Sequence, residues 1–207
     1  MDGLKTALMI MFHPIRGFTV IKEKREDFNY TPTLILFILI LMARFIDIYY
    51  THYPLSKLNP RETNLWTEFA RMLIPLFTWT IGCYAMTTIN EGKTMLKEQL
   101  ASTAYAMLPY IVLTPIIALL SHFMSAKNSG LFYRLQFIKW AWVIILFFIS
   151  TATMNEYKFW KTVGVCMLGI LSVVIIWLLI GLFYSLGDQI VVFAKELVSE
   201  IKLLNSR

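Results

Sequence analysis

Two pairs of opposite charges stand inside stretches that are otherwise apolar. Arg44 and Asp47 are three residues apart, and so are Glu68 and Arg71. This spacing puts the two members of each pair on one face of a helix. Carboxylates and guanidinium groups in an apolar medium pair with each other, or mark a path for an ion or a polar substrate. These four residues are therefore the first candidates for chemistry in this chain.

The two pairs also have reason to meet each other. If the stretches around them form an antiparallel hairpin, Arg44 and Arg71 lie at similar depths, since a helix rises ~1.5 Å per residue. We expect a four-charge cluster with Asp47 near Arg71 and Arg44 near Glu68. Three interpretations stay open: interfacial charges with Arg44 extended to the headgroups, a structural ion pair between helices, or a site for substrate or ions.

Other chemistry is not indicated. The three histidines, His13, His52 and His122, have no partner spacing that suggests metal binding or nucleophilic catalysis. Cys83 and Cys166 each lie in an apolar stretch, where a thiol packs as a small apolar side chain. The sequence contains no His-Glu-x-x-His and no Gly-x-Ser-x-Gly motif. We predict no enzyme, no catalytic residue, no metal site and no cofactor.

The elements that carry these residues are predicted to cross a membrane. The chain has 207 residues, of which 57% are hydrophobic and 15% charged, whereas a soluble domain has about 25% charged residues. A membrane span needs about 20 helical residues. Suitable stretches lie at residues 31–52, 66–89, 101–124, 135–154 and 162–186. The sequence thus predicts an all-α, polytopic transmembrane helix bundle with about five spans.

Both ends of the chain are predicted to form amphipathic surface helices, outside the transmembrane segment 31–186. Residues 1–30 carry apolar side chains at helical spacing, and Pro14 is expected to end one short helix and begin the next. Residues 187–207 follow the same period and predict a second such helix, on the membrane or against the bundle. Its apolar positions are Ile190, Phe193, Ala194, Leu197, Val198, Ile201 and Leu204.

The third predicted span contains Pro109 and Pro115. Each proline removes one backbone hydrogen bond and crowds the preceding turn. Transporters use such broken helices at binding sites, but proline can equally produce a kinked, packed helix. In the linker Asn90–Thr94, which precedes this span, Gly92 is expected to allow a turn with positive φ.

The net charge of +6 has its simplest partner in anionic lipid headgroups, because the basic residues lie in loops and tails beside apolar stretches. Nucleic-acid binding is not expected, since no basic cluster carries stacking aromatic residues. The basic residues before the first span place the N-terminus in the cytoplasm, and five spans then place the C-terminus outside. These basic residues are Lys5, Arg16, Lys22, Lys24 and Arg25.

Several of these residues together resemble the Yip1 family of multi-pass membrane proteins, in its bacterial branch. One similar segment is Phe12-His13-Pro14, followed by Phe18, Ile21-Lys22 and Arg25. A second is Asn90-Glu91-Gly92-Lys93-Thr94, followed by Ala104-Tyr105-Ala106 and Pro109-Tyr110. The family-like positions are Pro14, Glu91, Gly92, Tyr105, Pro109 and Tyr110.

The resemblance implies an all-helical bundle without catalysis. Eukaryotic relatives act in vesicle traffic and bind small membrane-anchored GTPases, but their Asp-Leu-Tyr-Gly-Pro signature is absent here, which puts a GTPase partner in doubt. We expect a scaffold or accessory subunit, for a transport system among others, in a bacterial cell membrane. Its partners would be the lipid bilayer and other membrane proteins, or further copies of itself.

The alternative is a transporter or channel component. In that case the first two spans and the proline-broken third span would form its polar site. A water-filled cavity that joins Arg44, Asp47, Glu68 and Arg71 to the break at Pro109 would favour transport. A dry bundle with charges at its rim would favour the scaffold.

Overall fold

The computed structural model describes residues 3–23, 30–52, 55, 63–124 and 129–205. Lys24 and Arg25 lie outside these residues. The described chain is helical, and its helices run in this order: α1 Gly3–Phe12, α2 Pro14–Glu23, α3 Thr31–Tyr50, α4 Leu65–Ile89, α5 Leu96–Ala106, α6 Leu108–Ser121, α7 Ser129–Asn155 and α8 Phe159–Asn205.

Five segments of the described chain are long and apolar enough to cross a membrane: Thr31–Tyr50, Leu65–Ile89, Leu96–Ser121, Ser129–Asn155 and Phe159–Phe193. The predicted all-α bundle of about five spans is therefore confirmed. We call the end of the bundle where α3, α5 and α8 begin the N-terminal face, and the other end the opposite face. The third and fourth spans begin earlier than predicted, because their first turns are polar and lower the local hydropathy.

The third span lies at the centre of the bundle. The most apolar window of this span is 61% buried, against 33% for α3, α4 and α7 and 17% for α8. Small and polar side chains of α5 allow this close packing, and the hydroxyls of Thr103 in α5 and Thr80 in α4 lie 3.0 Å apart. In this central position α5 packs against α3, α4 and α7, whereas α8 packs on α4 and α7.

The break that Pro109 predicts lies between α5 and α6. Proline disfavours helical geometry in the residue before it and has no N–H to donate. The Met107 N–H accordingly donates to the Ala104 carbonyl at 3.2 Å, one residue short of the α-helical pattern. Pro109 then occupies the first turn of α6, whereas Pro115 lies inside α6 without ending it.

Helices α1 and α2 form an N-terminal hairpin, and this hairpin packs against the rest of the bundle. Pro14 is the first residue of α2, as expected. Ile10, Phe18 and Ile21 are almost completely buried in the main core, and α2 packs on α7 and α5. Part of the apolar side of this hairpin therefore faces protein. The apolar period of a helix cannot distinguish a protein neighbour from an acyl chain.

The last helix also differs from the expectation. The sequence predicted a boundary between residues 186 and 187, but α8 continues without interruption from Phe159 to Asn205. Gly187 lies at this boundary, but a glycine ends a helix only when the following residues leave the helical pattern. Here the residues after Gly187 continue the period, so the last span and the tail form one helix.

Candidate functional site

Arg44 holds the centre of a chain of four charges between α3 and α4. Its Nη1 donates to Asp47 Oδ2 at 2.9 Å, and its Nη2 donates to Glu68 Oε2 at 2.5 Å. Arg71 Nη1 donates to Glu68 Oε1 at 2.6 Å. The structure thus brings the four residues together and includes the expected contact between Arg44 and Glu68. Among the described ion pairs, however, Arg71 contacts Glu68 of its own helix and not Asp47.

The four charges differ greatly in burial. The side chain of Glu68 is only 3% exposed, those of Arg44 and Asp47 are 23% and 20% exposed, and that of Arg71 is 68% exposed. Both oxygens of the buried carboxylate are used, one by each arginine. The cluster therefore runs from an exposed side chain at Arg71 to a buried, paired carboxylate at Glu68.

Local structure places Glu68 where a buried carboxylate is least costly. The Asn64 side chain caps α4 by accepting a hydrogen bond from the Trp66 N–H at 3.0 Å. Glu68 follows in the first turn, where unpaired backbone N–H groups create a positive potential. The helix end and the two guanidinium groups together compensate the charge of Glu68.

A fifth charge, Lys139 of α7, was missed by the sequence interpretation. It is 1% exposed. Its Nζ donates to Thr114 Oγ1 at 3.2 Å and lies 4.7 Å from the centre of the Tyr110 ring, a cation–π distance. Asp47 and Arg44 are its charged neighbours. The available signal is a single lysine inside the fourth predicted span, residues 135–154.

The side chains around Lys139 form a polar region together with Arg44 and Asp47. Tyr110, one of the family-like positions, lies beside it. It lies in the first turn of α6, directly after the break at Pro109. Its side chain is 1% exposed, and its hydroxyl has no hydrogen-bond partner among the described residues. Arg44 and Thr114 are the polar side chains nearest to that hydroxyl. The structure thereby joins α3, α4, α6 and α7 around one polar region.

The linker between α4 and α5 lies at the N-terminal face, far along the bundle from the charge cluster. The residue with positive φ is Glu91, at 59°, and no described glycine has a positive φ. The expectation for Gly92 is therefore wrong. A Cβ on Gly92 would lie 2.5 Å from Asn155 Oδ1 and 2.7 Å from the Thr87 carbonyl oxygen. Glycine is required at position 92 for space and not for backbone conformation.

Hydrogen bonds fasten this linker to the end of α7. Asn155 Oδ1 accepts a hydrogen bond from the Thr94 hydroxyl at 2.8 Å. The Tyr157 hydroxyl lies 3.0 Å from the Asn90 carbonyl and 3.1 Å from the Thr87 carbonyl, so its one proton is shared between them. Sequence reasoning named neither Asn155 nor Tyr157, because their partners lie more than sixty residues away in the chain.

Glu156 joins three segments at the same face. Its carboxylate accepts from Lys22 Nζ of α2 and from Lys93 Nζ of the linker. These two ammonium groups lower the pKa of the Glu156 carboxyl to about 2. Glu156 also has a positive φ of 56°, which a non-glycine residue adopts rarely. The carboxylate is therefore held between the two lysines by the turn that joins α7 to α8.

The remaining family-like residue, Tyr105, is buried in α5, in the main core. The six family-like positions are thus divided: Glu91 and Gly92 shape the linker, Tyr105 packs the core, and Pro109 and Tyr110 border the polar region. Pro14 begins α2. The structure does not bring these positions together into a single pocket.

Two of the three histidines meet at the opposite face. The ring centres of His52 and His122 are 5.5 Å apart, and the His52 N–H donates to Ser121 Oγ at 2.9 Å. The end of α3 and the end of α6 are joined by these contacts. The sequence interpretation had assigned the two histidines no partner, because nothing in their spacing relates them.

A family model described as the Yip1 domain matches residues 8–187 of the chain. Neither the curated proteins nor the solved structures include a significant match. The matched range begins within α1 and ends within α8, and it therefore includes the charge cluster, the polar region and the linker at the N-terminal face.

Proposed function

The chain belongs to the Yip1 family, and from this premise we propose that it is a non-enzymatic integral membrane protein that acts as a scaffold or accessory subunit for other membrane proteins. A transport system is one assembly that it would serve. The observation that carries this proposal is the unpartnered surface of α8.

One side of α8 packs on α4. The Trp177 indole N–H donates to Thr78 Oγ1 at 3.4 Å, and Gly82 of α4 allows the backbone to approach Ser172 of α8. The other side carries large apolar side chains that are mostly exposed in the described chain. Among them, Phe183 is 70% exposed and Ile190 67% exposed.

The length of α8 argues for a protein partner in addition to lipid. It has 47 residues, which at ~1.5 Å each exceed the ~30 Å hydrocarbon core about twofold. The helix therefore extends beyond the hydrocarbon region, and apolar side chains there meet water unless a protein covers them. An exposed apolar stripe of this kind is typical of interaction surfaces.

The experiment is site-specific photocrosslinking in the native membrane. A photoreactive residue at Phe183 or Ile190 should form one discrete protein adduct. The matched control is Ile144 of α7, which is also apolar and 66% exposed; it should react with lipid. The same partner should copurify with the unmodified chain in mild detergent and be lost from the variant Phe183→Asp. Adducts with lipid alone at both α8 positions would contradict the proposal.

The second candidate is a transporter or channel component, and Lys139 favours it. A buried lysine beside a buried tyrosine side chain is the type of polar group that ion pathways contain. Against this, Arg44 forms ion pairs with both Asp47 and Glu68, so these charges are already neutralised within the protein. Ion flux in proteoliposomes that disappears in Lys139→Met, with the protein still monodisperse, would favour the second candidate over the scaffold.

We place the protein in a bacterial cell membrane with its N-terminal face in the cytoplasm. The support is the positive charge before the first span. In a chain whose Cys83 and Cys166 are replaced by alanine, a membrane-impermeant maleimide should label Phe123→Cys in intact cells. Lys97→Cys, at the N-terminal face, should be labelled only after lysis. The reverse labelling would overturn this orientation.

A further inference from the structure

An open groove of about 630 Å³ lies at the N-terminal face between α2, the end of α7 and the start of α8. Its floor is formed by apolar side chains, among them Phe148, Ile149 and Phe159. Its rim carries Lys22, Glu23 and Glu156. Because the rim lies where the spans end, the groove is polar at headgroup level and apolar where it descends along α7.

The rim is arranged to hold a negative group between two positive ones. Glu156 lies between the ammonium groups of Lys22 and Lys93, one on each carboxylate oxygen. These are the contacts that a phosphate would make at the same point. Because the pKa of Glu156 is about 2, protonation at physiological pH does not release the lysines. Another anion can release them by taking the place of the carboxylate.

We propose that this groove binds one anionic phospholipid, whose phosphate replaces the Glu156 carboxylate between Lys22 and Lys93 and whose acyl chain lies along Phe148, Ile149 and Phe159. The charge of the two lysines complements the headgroup, and the apolar floor complements the chain. Lysine ammonium groups at the headgroup level attract anionic lipid headgroups, and here two of them lie at one edge of an apolar groove. The proposal does not depend on whether the protein is a scaffold or a transporter component.

Native mass spectrometry of the full chain provides the test. The protein is extracted from vesicles that contain equal amounts of phosphatidylglycerol and phosphatidylcholine, and the retained lipids are counted. We expect one retained phosphatidylglycerol, in preference to phosphatidylcholine. Lys22→Gln and Lys93→Gln should each weaken this retention about fivefold, the usual effect of one basic residue at an anionic surface. Lys22→Arg should restore it.

Glu156→Gln gives the sharpest outcome because its expected effect has the opposite sign. Removal of the internal competitor should strengthen the retention of phosphatidylglycerol. The matched control is Lys97→Gln, which removes one exposed positive charge from the same face without touching the groove, and it should change nothing. If Lys97→Gln weakens retention as much as Lys22→Gln, or if Glu156→Gln weakens it, the proposal is overturned.

A further arm separates the lipid from free phosphate. Phe159→Ser removes part of the apolar floor, and it should reduce the retention of phosphatidylglycerol while the lysines stay in place. If inorganic phosphate alone stabilises the protein against heat in a Lys22-dependent manner, and Phe159→Ser has no effect on the lipid, the site binds free phosphate and the lipid proposal fails. Size-exclusion profiles establish that each variant is folded.

Discussion

Arg44 of the first span donates to the buried carboxylate of Glu68 in the second span, and this contact is the ion pair that joins α3 to α4 in the described chain. All other described ion pairs of the cluster lie within one helix. Within the charge cluster, the contact between Arg44 and Glu68 is therefore the one that holds α3 and α4 together.

Arg44→Gln should destabilise the fold much more than Arg71→Gln. Removal of Arg44 leaves Glu68 buried with only a rim partner, and breaking a buried pair costs about 3–5 kcal/mol. Arg71 is largely exposed, and exposed pairs contribute about 0–1 kcal/mol. The free energy of unfolding in detergent, measured by thermal or chemical denaturation, should separate the two. Equal losses in both variants would exclude a structural role for the contact between the helices.

Tyr110→Phe and Tyr157→Phe should change the free energy of unfolding differently: the first should not lower it, and the second should. The Tyr110 hydroxyl is buried and has no hydrogen-bond partner within the part of the chain that the structure describes, so its removal should be neutral or stabilising by about 1 kcal/mol. The Tyr157 hydroxyl is hydrogen-bonded to the linker, so its loss should cost about 1 kcal/mol. Melting temperatures of the two variants check this. Strong destabilisation by Tyr110→Phe would indicate that its hydroxyl has a partner, such as a bound ion.

Gly92→Ala should be strongly unfavourable, because the new Cβ would collide with Asn155 and with the Thr87 backbone. Overpacking of this type costs about 1–3 kcal/mol. The matched control is Gly164→Ala in α8, where nothing lies within 4 Å; alanine there should stabilise the helix by about 0.5–1 kcal/mol. Glu91→Gly should be tolerated, since glycine adopts positive φ at no cost. Equal effects of the two alanine variants would contradict the assigned role of Gly92.

The attachment of the N-terminal hairpin should be sensitive to acid only at low pH. The carboxyl of Glu156 has its pKa lowered from 4.5 to about 2. A depressed pKa in the folded state contributes stability above the unfolded value, and that stability is lost as the pH falls from about 4.5 to 2. Proteolysis of the hairpin as a function of pH should show a rise within this window.

The control for acid sensitivity is Glu156→Gln. Its rate of proteolysis should show no step between pH 4.5 and 2. Glu23→Gln, an exposed charge of the same hairpin, should keep the step. If the step is unchanged in Glu156→Gln, another carboxylate is responsible for it.

The length and period of apolar stretches predicted the helices and their spans. Features that depend on burial or on contacts between distant residues were not predicted. The contact between Arg44 and Glu68 followed from counting residues from the span ends. Lys139 was missed because hydropathy averages over a helix and does not reveal which side faces the core. Gly92 was misassigned because a turn and a close approach both favour glycine. Contacts such as Asn155 with Thr94 need the fold itself, since the chain separates them.

The single helix α8 also has a mechanical consequence. A rod without a hinge transmits a displacement at one end to the other, and α8 is seated on α4 along its inner half. A partner that pulls the distal end of α8 sideways would tilt α4 and carry Glu68 with it, away from or toward Arg44. Force applied outside the bilayer would thereby be felt inside it as a change in the separation of two charges.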